Sequence, residues 1–551
     1  MNVQLRTAAL VGALSLTLVS NVAEACGCFA PPDPTVPVVQ AGERILFAVQ
    51  NGVVTAHIQI QYAGDAKDFG WLLPLPSVPT LKLGTEELFT QLIRTTQPRY
   101  FVRNTFTGNC GGLRSPSANA GFSESDSVDA GSSSPLVTES SIGPYHYAVL
   151  KADSKEEMFK WLTDNHYFIP TGTDETVGPY INPGAYFLAL KLKSGKSAGD
   201  IQPVVLSYAS ELPMIPIILT SVAAVPNMGV QVWMLGSSRA IPRNYNHVVL
   251  NDAQIDWLGQ ARNYNEVVIR AISETPEKHA FITEYAGTSA IMRDVLDPAG
   301  RFGSSAELAA LTDPAQFVQY LFAKGFPTGN NSGRFGPSLP PLVKNLVLAM
   351  VPVPAKLVGV SEDAWLQNLS FYLGEYRAAH PEVFAGWSSA FDAPALAAQL
   401  DEKVVRPARE AGELFRRYSK LTRLYTALSP QDMTRDPVFS FNPSLPDVSR
   451  DHSAELRTDC NLFTGSQNAP RTLITEQGFA FRLTDVPRDL TLGPGAMRIE
   501  TLGEEGPAKV LVDNRAAISQ PVGCGCASVD ALSLGALGLL AASLRRRRTS
   551  P

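Results

Sequence analysis

The six cysteines are the residues whose number and placement point most directly to chemistry. If the chain is exported, as its N-terminus indicates below, cysteines are considered first as disulfides, and six of them allow fifteen pairings. Cys524 and Cys526 belong to the C-terminal tail, which leaves Cys26, Cys28, Cys110 and Cys460 for at most two bridges. We expect Cys110 to pair with Cys26 or Cys28, and Cys460 stays unassigned.

A zinc site made by the first three of these cysteines is the alternative. The spacing Cys26-x-Cys28 differs from the usual C-x₂₋₄-C, and no pair of histidines stands nearby, so disulfides are favoured. An acidic group at Glu124, Asp126 and Asp129 lacks the ligand spacing of a calcium loop and is typical of a solvated loop. The sequence predicts no metal and no cofactor.

Two catalytic or nucleotide-binding motifs are present only in part. The stretch 386–390 (GWSSA) lacks the last glycine of a nucleophile elbow, and 195–197 (GKS) lacks the first glycine of a phosphate-binding loop because Leu190 stands there. Glu274 and Glu284 could act as acid and base, but their separation in space cannot be read from one sequence. We therefore assign no catalytic residue.

The N-terminus has the three parts of a secretory signal. A short positive segment, an apolar run and the small-x-small sequence Ala23-Glu24-Ala25 follow one another directly before Cys26. We predict that signal peptidase removes residues 1–25. An acylated Cys26 is the alternative, but Glu24 stands where such signals have a small uncharged residue.

The C-terminal tail, residues 523–551, contains Cys524 and Cys526 and then the mostly apolar run 531–544. This run of about 14 residues covers about 21 Å, less than the roughly 30 Å of a hydrocarbon core. Basic residues at its end stay on the cytoplasmic side, which places the body outside. These residues are Arg545, Arg546, Arg547 and Arg548.

The tail resembles the C-terminal sorting signal of myxobacterial surface proteins, in which a Cys motif, a short transmembrane stretch and an Arg cluster follow one another. The resemblance implies recognition by a membrane-embedded sorting protease, cleavage near Cys524 and Cys526, and transfer to the cell surface. The alternative is a plain C-terminal anchor that is never cleaved.

Composition sets the broad class. The 551 residues exceed one ordinary core, so two domains or one large mixed domain are expected. Apolar residues make up 45% and charged residues 18%, which is typical of a packed protein. The formal net charge is −6 and no internal basic stripe is present, which excludes nucleic acid as a partner.

The first half of the body has β patterning. Asn51-Gly52 joins two apolar runs and predicts a hairpin with a type I′ turn, and Thr85 caps a predicted helix. Further β-like runs, among them 215–220 and 280–285, predict an antiparallel or mixed sheet. Residues 108–141 form a low-complexity insert rich in Ser, Gly and Asp.

Helical patterning follows after about residue 294, and its last predicted helix spans 407–428. Strand patterning returns near the C-terminus, for example at 496–502 and 509–513. The fold class is therefore α+β with a helical segment around 300–430. The predicted parts are a mixed part, a helical part and a C-terminal β-rich part, at 26–295, 296–430 and 431–522.

Several blocks of the body resemble a large uncharacterised bacterial family, domain of unknown function 2330. Residues 44–47, 62–66 and 68–76 look like its start, and 280–285 and 421–426 with 430–433 look like further blocks. The resemblance implies an exported protein that opens near Cys26, and it brings no activity or catalytic residue.

The sequence thus predicts an exported, envelope-anchored surface protein that acts as a non-catalytic binding or structural module. Its expected partners are signal peptidase, the sorting protease and the cell envelope. The alternative is an exported hydrolase whose site is assembled from distant residues; a Ser-His pair or converging carboxylates in a pocket would favour it.

Overall fold

The computed structural model describes residues 41–59, 70–108, 140–151, 155–166, 173–182, 184–196, 201–222, 224–296, 304–324, 339–460, 469–482 and 493–518. The predictions for the signal peptide, for Cys26, Cys28 and Cys110, for most of the insert and for the C-terminal tail lie outside these ranges. Among the described residues, no helix is long and apolar enough to cross a membrane.

The strands are numbered in chain order. They are β1 Ala41–Gln50, β2 Val53–Gln59, β3 Gly70–Leu75, β4 Thr80–Leu83, β5 Arg99–Thr107, β6 Ser140–Ile142, β7 Tyr145–Lys151, β8 Tyr186–Leu192, β9 Val204–Ala209, β10 Met228–Gly236, β11 Arg239–Pro242, β12 Asn246–Leu250, β13 Ala280–Thr288, β14 Lys420–Leu428, β15 Phe439–Asn442, β16 Asp451–Asp459, β17 Arg471–Ile474, β18 Ala480–Arg482, β19 Ala496–Thr501 and β20 Lys509–Asp513.

The helices are numbered in the same way. They are α1 Glu86–Thr96, α2 Lys155–Asp164, α3 Thr173–Thr176, α4 Ile217–Thr220, α5 Tyr264–Ser273, α6 Arg293–Leu296, α7 Ser305–Ala309, α8 Pro314–Ala323, α9 Pro341–Met350, α10 Glu362–Gln367, α11 Leu369–Phe371, α12 Arg377–Ala379, α13 Ala393–Leu400, α14 Arg406–Arg417 and α15 Arg515–Ile518.

A ten-stranded mixed sheet with the order β20-β19-β12-β13-β14-β10-β1-β2-β9-β4 forms the centre of the molecule. Strands β1 and β10 pair in parallel, as do β12 and β13. The predicted hairpin β1–β2 is confirmed: Asn51 and Gly52 have φ of 52° and 70°, as a type I′ turn requires. The predicted α+β class is confirmed as well.

The two faces of this sheet are covered differently. One face carries Leu46 and Trp233, which pack with Phe89 of α1 and Phe415 of α14. The opposite face packs against the four-stranded sheet β3-β8-β7-β6 and the pair β11–β15. The opposite face therefore meets a second sheet, and the candidate site lies between them.

The helical segment is an excursion between two neighbouring strands. Strand β13 ends at Thr288 and β14 begins at Lys420, and these two residues are register partners in the antiparallel pair. Helices between them form a separate apolar core around Phe317, Val347 and Trp365. The excursion thus returns to the place in the sheet that it left.

Two element predictions were wrong in extent or type. The helix expected over 407–428 ends at Arg417, and Lys420–Leu428 is a central strand whose residues are nearly all buried. The β-like run at 215–220 contains the short helix α4, which follows Pro216. In both cases the apolar residues show no decisive period of two, because the apolar side chains of strand Lys420–Leu428 are buried on both faces and the run 215–220 is short.

Candidate functional site

A pocket of about 270 Å³ lies between the central sheet and the smaller sheet. Side chains alternate along a strand, so Glu43, Ile45 and Phe47 of β1 point to the same side and line it. Strand β3 provides the opposite wall, beginning with Trp71. The remaining lining is mostly apolar and includes Ile58, Leu73, Pro74, Leu206, Tyr180 and Tyr208.

Glu43 is the sole charged side chain among the described residues that line this pocket. The pairing of β1 with β10 has a register shift between Ala41 and Glu43. Burial raises the pKa of the Glu43 carboxyl to about 7, although the residue keeps partial exposure through the pocket. Within the described part of the chain nothing hydrogen-bonds its Oε2. Such an unsatisfied polar atom is uncommon in proteins and calls for a physical explanation.

Three polar groups of the lining already have partners. The Tyr180 hydroxyl donates to Oδ1 of Asp436 at 2.9 Å, and Ser210 Oγ donates to the Leu212 carbonyl at 2.9 Å. Asn182 Nδ2 donates to the Pro179 carbonyl at 3.0 Å, and this residue is exposed, so the pocket opens to solvent. None of these three groups bonds the Glu43 carboxylate.

The sequence reasoning missed Glu43, but a signal for it was present. The alternation Glu43-x-Ile45-x-Phe47 places a carboxylate on the apolar face of a strand, which is an unusual position for an unpaired acid. What the pattern could not supply is the opposite wall, because Trp71 and Tyr180 come from other parts of the chain.

A second polar cluster lies at the other half of the sheet, where His247, Thr283 and Glu500 meet. Nε2 of His247 lies 3.0 Å from Thr283 Oγ1, and Nδ1 lies 3.2 Å from Glu500 Oε2. Burial lowers the pKa of His247, so the imidazole is neutral, with Nδ1–H donating to Glu500 and Nε2 accepting from the Thr283 hydroxyl. Arg239 Nη2 donates to the same hydroxyl at 3.0 Å.

This hydroxyl–imidazole–carboxylate chain has the connectivity of an activated nucleophile, its base and the group that orients the base. His247 and Glu500 are buried and Thr283 is partly exposed. The same hydrogen bonds also give Thr283, His247 and Glu500 partners inside the protein, as in a purely structural network, and Arg239 is an additional donor. No local motif indicates this cluster, because its three residues come from β12, β13 and β19.

The two carboxylates nominated from the sequence have separate partners. Glu274 accepts hydrogen bonds from the backbone N–H groups of Gly495 and Ala496, at 2.8 and 3.0 Å. Glu284 is buried, forms an ion pair with Arg423, and accepts a hydrogen bond from the Tyr264 hydroxyl at 2.6 Å. Each carboxylate therefore has structural partners of its own.

Other predicted positions have structural surroundings too. Ser389, within the incomplete elbow, donates its hydroxyl to the Met350 carbonyl at 3.0 Å. Cys460, the one cysteine among the described residues, is disulfide-bonded to a partner outside them, so the pairing scheme stays a prediction. In the described ranges no group of three or more His, Cys, Asp or Glu could hold a metal ion.

The fold and the pocket define an α+β protein with a small apolar pocket between two packed sheets. The chain belongs to the family described as "Uncharacterized protein conserved in bacteria (DUF2330)", whose model matches residues 22–322. All residues that line the pocket fall inside the matched range, whereas the block at 421–433 lies beyond it. Neither a curated protein nor a solved structure matches the chain.

Proposed function

We propose that this chain is an exported surface protein that binds a small, mostly apolar ligand in the pocket beside Glu43. The pocket itself carries the proposal. Protein interiors are close-packed, so a space of about 270 Å³ that opens to solvent and has apolar walls is the favoured location for a ligand. Its size suits a compact ligand rather than a long chain.

Export and surface sorting are the second part of the proposal, and they rest on the signal at Ala23 to Cys26 and on the order of Cys524, Cys526 and the arginines. Mass spectrometry of the protein isolated from cells tests both ends. We expect an N-terminus at Cys26 and loss of the C-terminal tail after a site near the two cysteines. An intact C-terminus ending in Pro551 would reject the sorting step.

Ligand binding is tested by saturation-transfer NMR with small neutral probes such as benzyl alcohol and indole. Trp71→Ala removes one wall of the pocket, and Trp387→Ala is the matched control because Trp387 packs in the helical core. We expect both probes to bind the parent chain and the control, and to bind Trp71→Ala at least tenfold more weakly. Equal binding by all three proteins, or binding by none of them, would overturn the proposed pocket.

A hydrolase is the second candidate function, and the chain Thr283–His247–Glu500 is the observation that favours it. In such an enzyme the Thr283 oxygen would attack the acyl carbon of an ester while its proton passes to Nε2 of His247; the C–O bond to the alcohol would break as His247 returns this proton to the leaving alcohol, and water would then release the acid from Thr283. The binding function is preferred because none of these three residues lines the pocket.

Turnover of activated esters decides between the two candidate functions. Thr283→Val removes the hydroxyl, and Thr55→Val is the control because Thr55 bonds Ser207 on the first strands of the sheet. Turnover that is lost in Thr283→Val and kept in Thr55→Val would establish the hydrolase. We expect no turnover above background in any of the three proteins.

A further inference from the structure

Glu43 differs from the buried carboxylate Glu284 and from Glu274 in what surrounds it. Glu284 has Arg423 and Tyr264, and Glu274 has two backbone N–H donors. Glu43 has one oxygen without any hydrogen-bond partner, and the described lining of the pocket contains no Lys or Arg. The pocket side of Glu43 therefore lacks a counter-charge, and a ligand in the pocket can provide one.

We propose that the pocket is a site for an organic cation, a protonated amine with a compact apolar body. The ammonium group lies against the Glu43 carboxylate, and the body lies against Trp71, Tyr180 and Tyr208. This inference rests on the proposed function, since it names the class of ligand for the same pocket.

An ammonium group supplies both things that Glu43 lacks. It gives an opposite charge, which offsets the cost of burying an ionised carboxylate, and its N–H groups are strong donors to a carboxylate. Aromatic rings attract cations through their faces, and Trp71, Tyr180 and Tyr208 all line the pocket. A neutral ligand would leave the carboxylate without a counter-charge, and an anion would be repelled.

A bare metal ion fits this pocket poorly. Calcium takes six to eight oxygen ligands, whereas Glu43 supplies the only carboxylate of the described lining and the amide of Asn182 is exposed. The apolar and aromatic walls instead match a ligand with a substantial hydrocarbon part.

Proton linkage follows from the same geometry. Burial raises the pKa of Glu43 to about 7, so a cation must displace a proton from much of the population near pH 6. The titratable groups that face Glu43 across the pocket are the hydroxyls of Tyr180 and Tyr208, with Asp436 behind Tyr180. Burial raises the pKa of both tyrosines, so they stay neutral between pH 6 and 8.

Calorimetry on the purified full chain tests the inference with benzylamine and its neutral analogue benzyl alcohol at pH 6, 7 and 8. At pH 8 we expect benzylamine to bind at least tenfold more tightly than benzyl alcohol. The affinity for benzylamine falls about tenfold between pH 8 and pH 6. The binding enthalpy of benzylamine changes with the ionisation heat of the buffer, which shows that binding releases protons. Benzyl alcohol shows neither effect.

Glu43→Gln keeps the shape of the side chain and removes its charge. This variant is expected to bind benzyl alcohol as the parent does, to lose at least tenfold in benzylamine affinity, and to lose the pH dependence. Glu86→Gln is the matched control, because it makes the same change of charge at a carboxylate that accepts a hydrogen bond from Gln59 and does not line the pocket. Its benzylamine titration is expected to match that of the parent.

The outcomes separate the two proposals. If neither compound binds, the pocket is not a ligand site and the proposed function fails. If benzyl alcohol binds as tightly as benzylamine at pH 8, or if Glu43→Gln leaves the preference for the amine at pH 8 unchanged, the pocket binds ligands and the assignment to a cation fails.

Discussion

Arg423 and Glu284 form a fully buried ion pair whose remaining hydrogen-bonding groups are nearly all used. Arg423 Nη2 donates to Gln231 Oε1 at 2.9 Å, and its guanidinium lies 5.4 Å from the centroid of Trp233. Glu284 also accepts from the Tyr264 hydroxyl. Pairs of this kind add little stability compared with apolar residues, but removing one partner leaves a buried charge without compensation.

Replacing Arg423 with Met therefore tests whether the pair is structural. The change leaves Glu284 buried and without its cation, and we expect a loss of about 3–5 kcal/mol in the free energy of unfolding. Lys82→Met is the control, because Lys82 and Glu410 form an exposed pair and such pairs contribute about 0–1 kcal/mol. Urea unfolding measures both. Similar losses in the two variants would contradict the structural role of the buried pair.

Glu43 gives the fold a pH dependence of defined sign. Its pKa is about 7 in the folded protein and 4.5 as the ordinary value, so the folded state holds more protons between these values. The Glu43 contribution to stability consequently falls as pH rises from about 4.5 to 7, and stays low above 7. At 1.36 kcal/mol per pKa unit the loss is at most about 3 kcal/mol.

Glu43→Gln removes this titration, and comparison with the parent cancels other titrating groups such as His57. We expect the variant to be as stable as the parent near pH 4 and more stable by up to about 3 kcal/mol at pH 8. Urea unfolding at several pH values measures the difference. A difference that does not grow with pH would show that Glu43 ionises freely in the folded protein.

The residues of the site illustrate what one sequence can and cannot supply. The face on which Glu43 lies follows from its spacing to Ile45 and Phe47, because side chains alternate along a strand. The meeting of His247, Thr283 and Glu500 does not follow from any local pattern, since it depends on how β12, β13 and β19 pair. Long-range strand order is therefore the information that local periodicity lacks.

Elements with local determinants were the ones predicted well. The hairpin at Asn51-Gly52 and the helix capped by Thr85 depend on turn and cap residues within a few positions, and both form as expected. Strand β14 was mistaken for the end of a helix because it is buried on both faces. Leu421 packs on one face and Leu424 on the other, which hides the period of two.

The hairpin turn provides an element-scale test. Gly52 has φ of +70°, where a Cβ atom costs roughly 1–2 kcal/mol. We expect Gly52→Ala to reduce the free energy of unfolding by about that amount. Gly374→Ala is the control, because Gly374 lies in a helical turn with open space around its Cβ position, where alanine stabilises by roughly 0.5–1 kcal/mol. Opposite signs are expected in thermal unfolding, and a neutral Gly52→Ala would contradict the type I′ turn.

At the scale of the whole molecule, the sheet and the helical excursion have separate cores. Trp365 and Phe317 pack among helices, whereas Phe47 and Trp233 pack on the central sheet. The excursion leaves the sheet at Thr288 and returns at Lys420, which are register partners. Strands β13 and β14 thus meet as the two strands of a hairpin do, with the helices in place of its loop.

Removing the excursion tests this organisation. Helices α6 and α14 stay, because Leu296 and Phe415 pack on the sheet. A Gly/Ser linker of about eight residues, which spans roughly 16 Å, replaces residues 297–405. We expect the shortened chain to keep a cooperative unfolding transition and to bind benzyl alcohol as the full chain does, because no residue of the pocket is removed. Circular dichroism and NMR measure the two properties. A shortened chain that lacks cooperative unfolding would show instead that the sheet needs the helical core to fold.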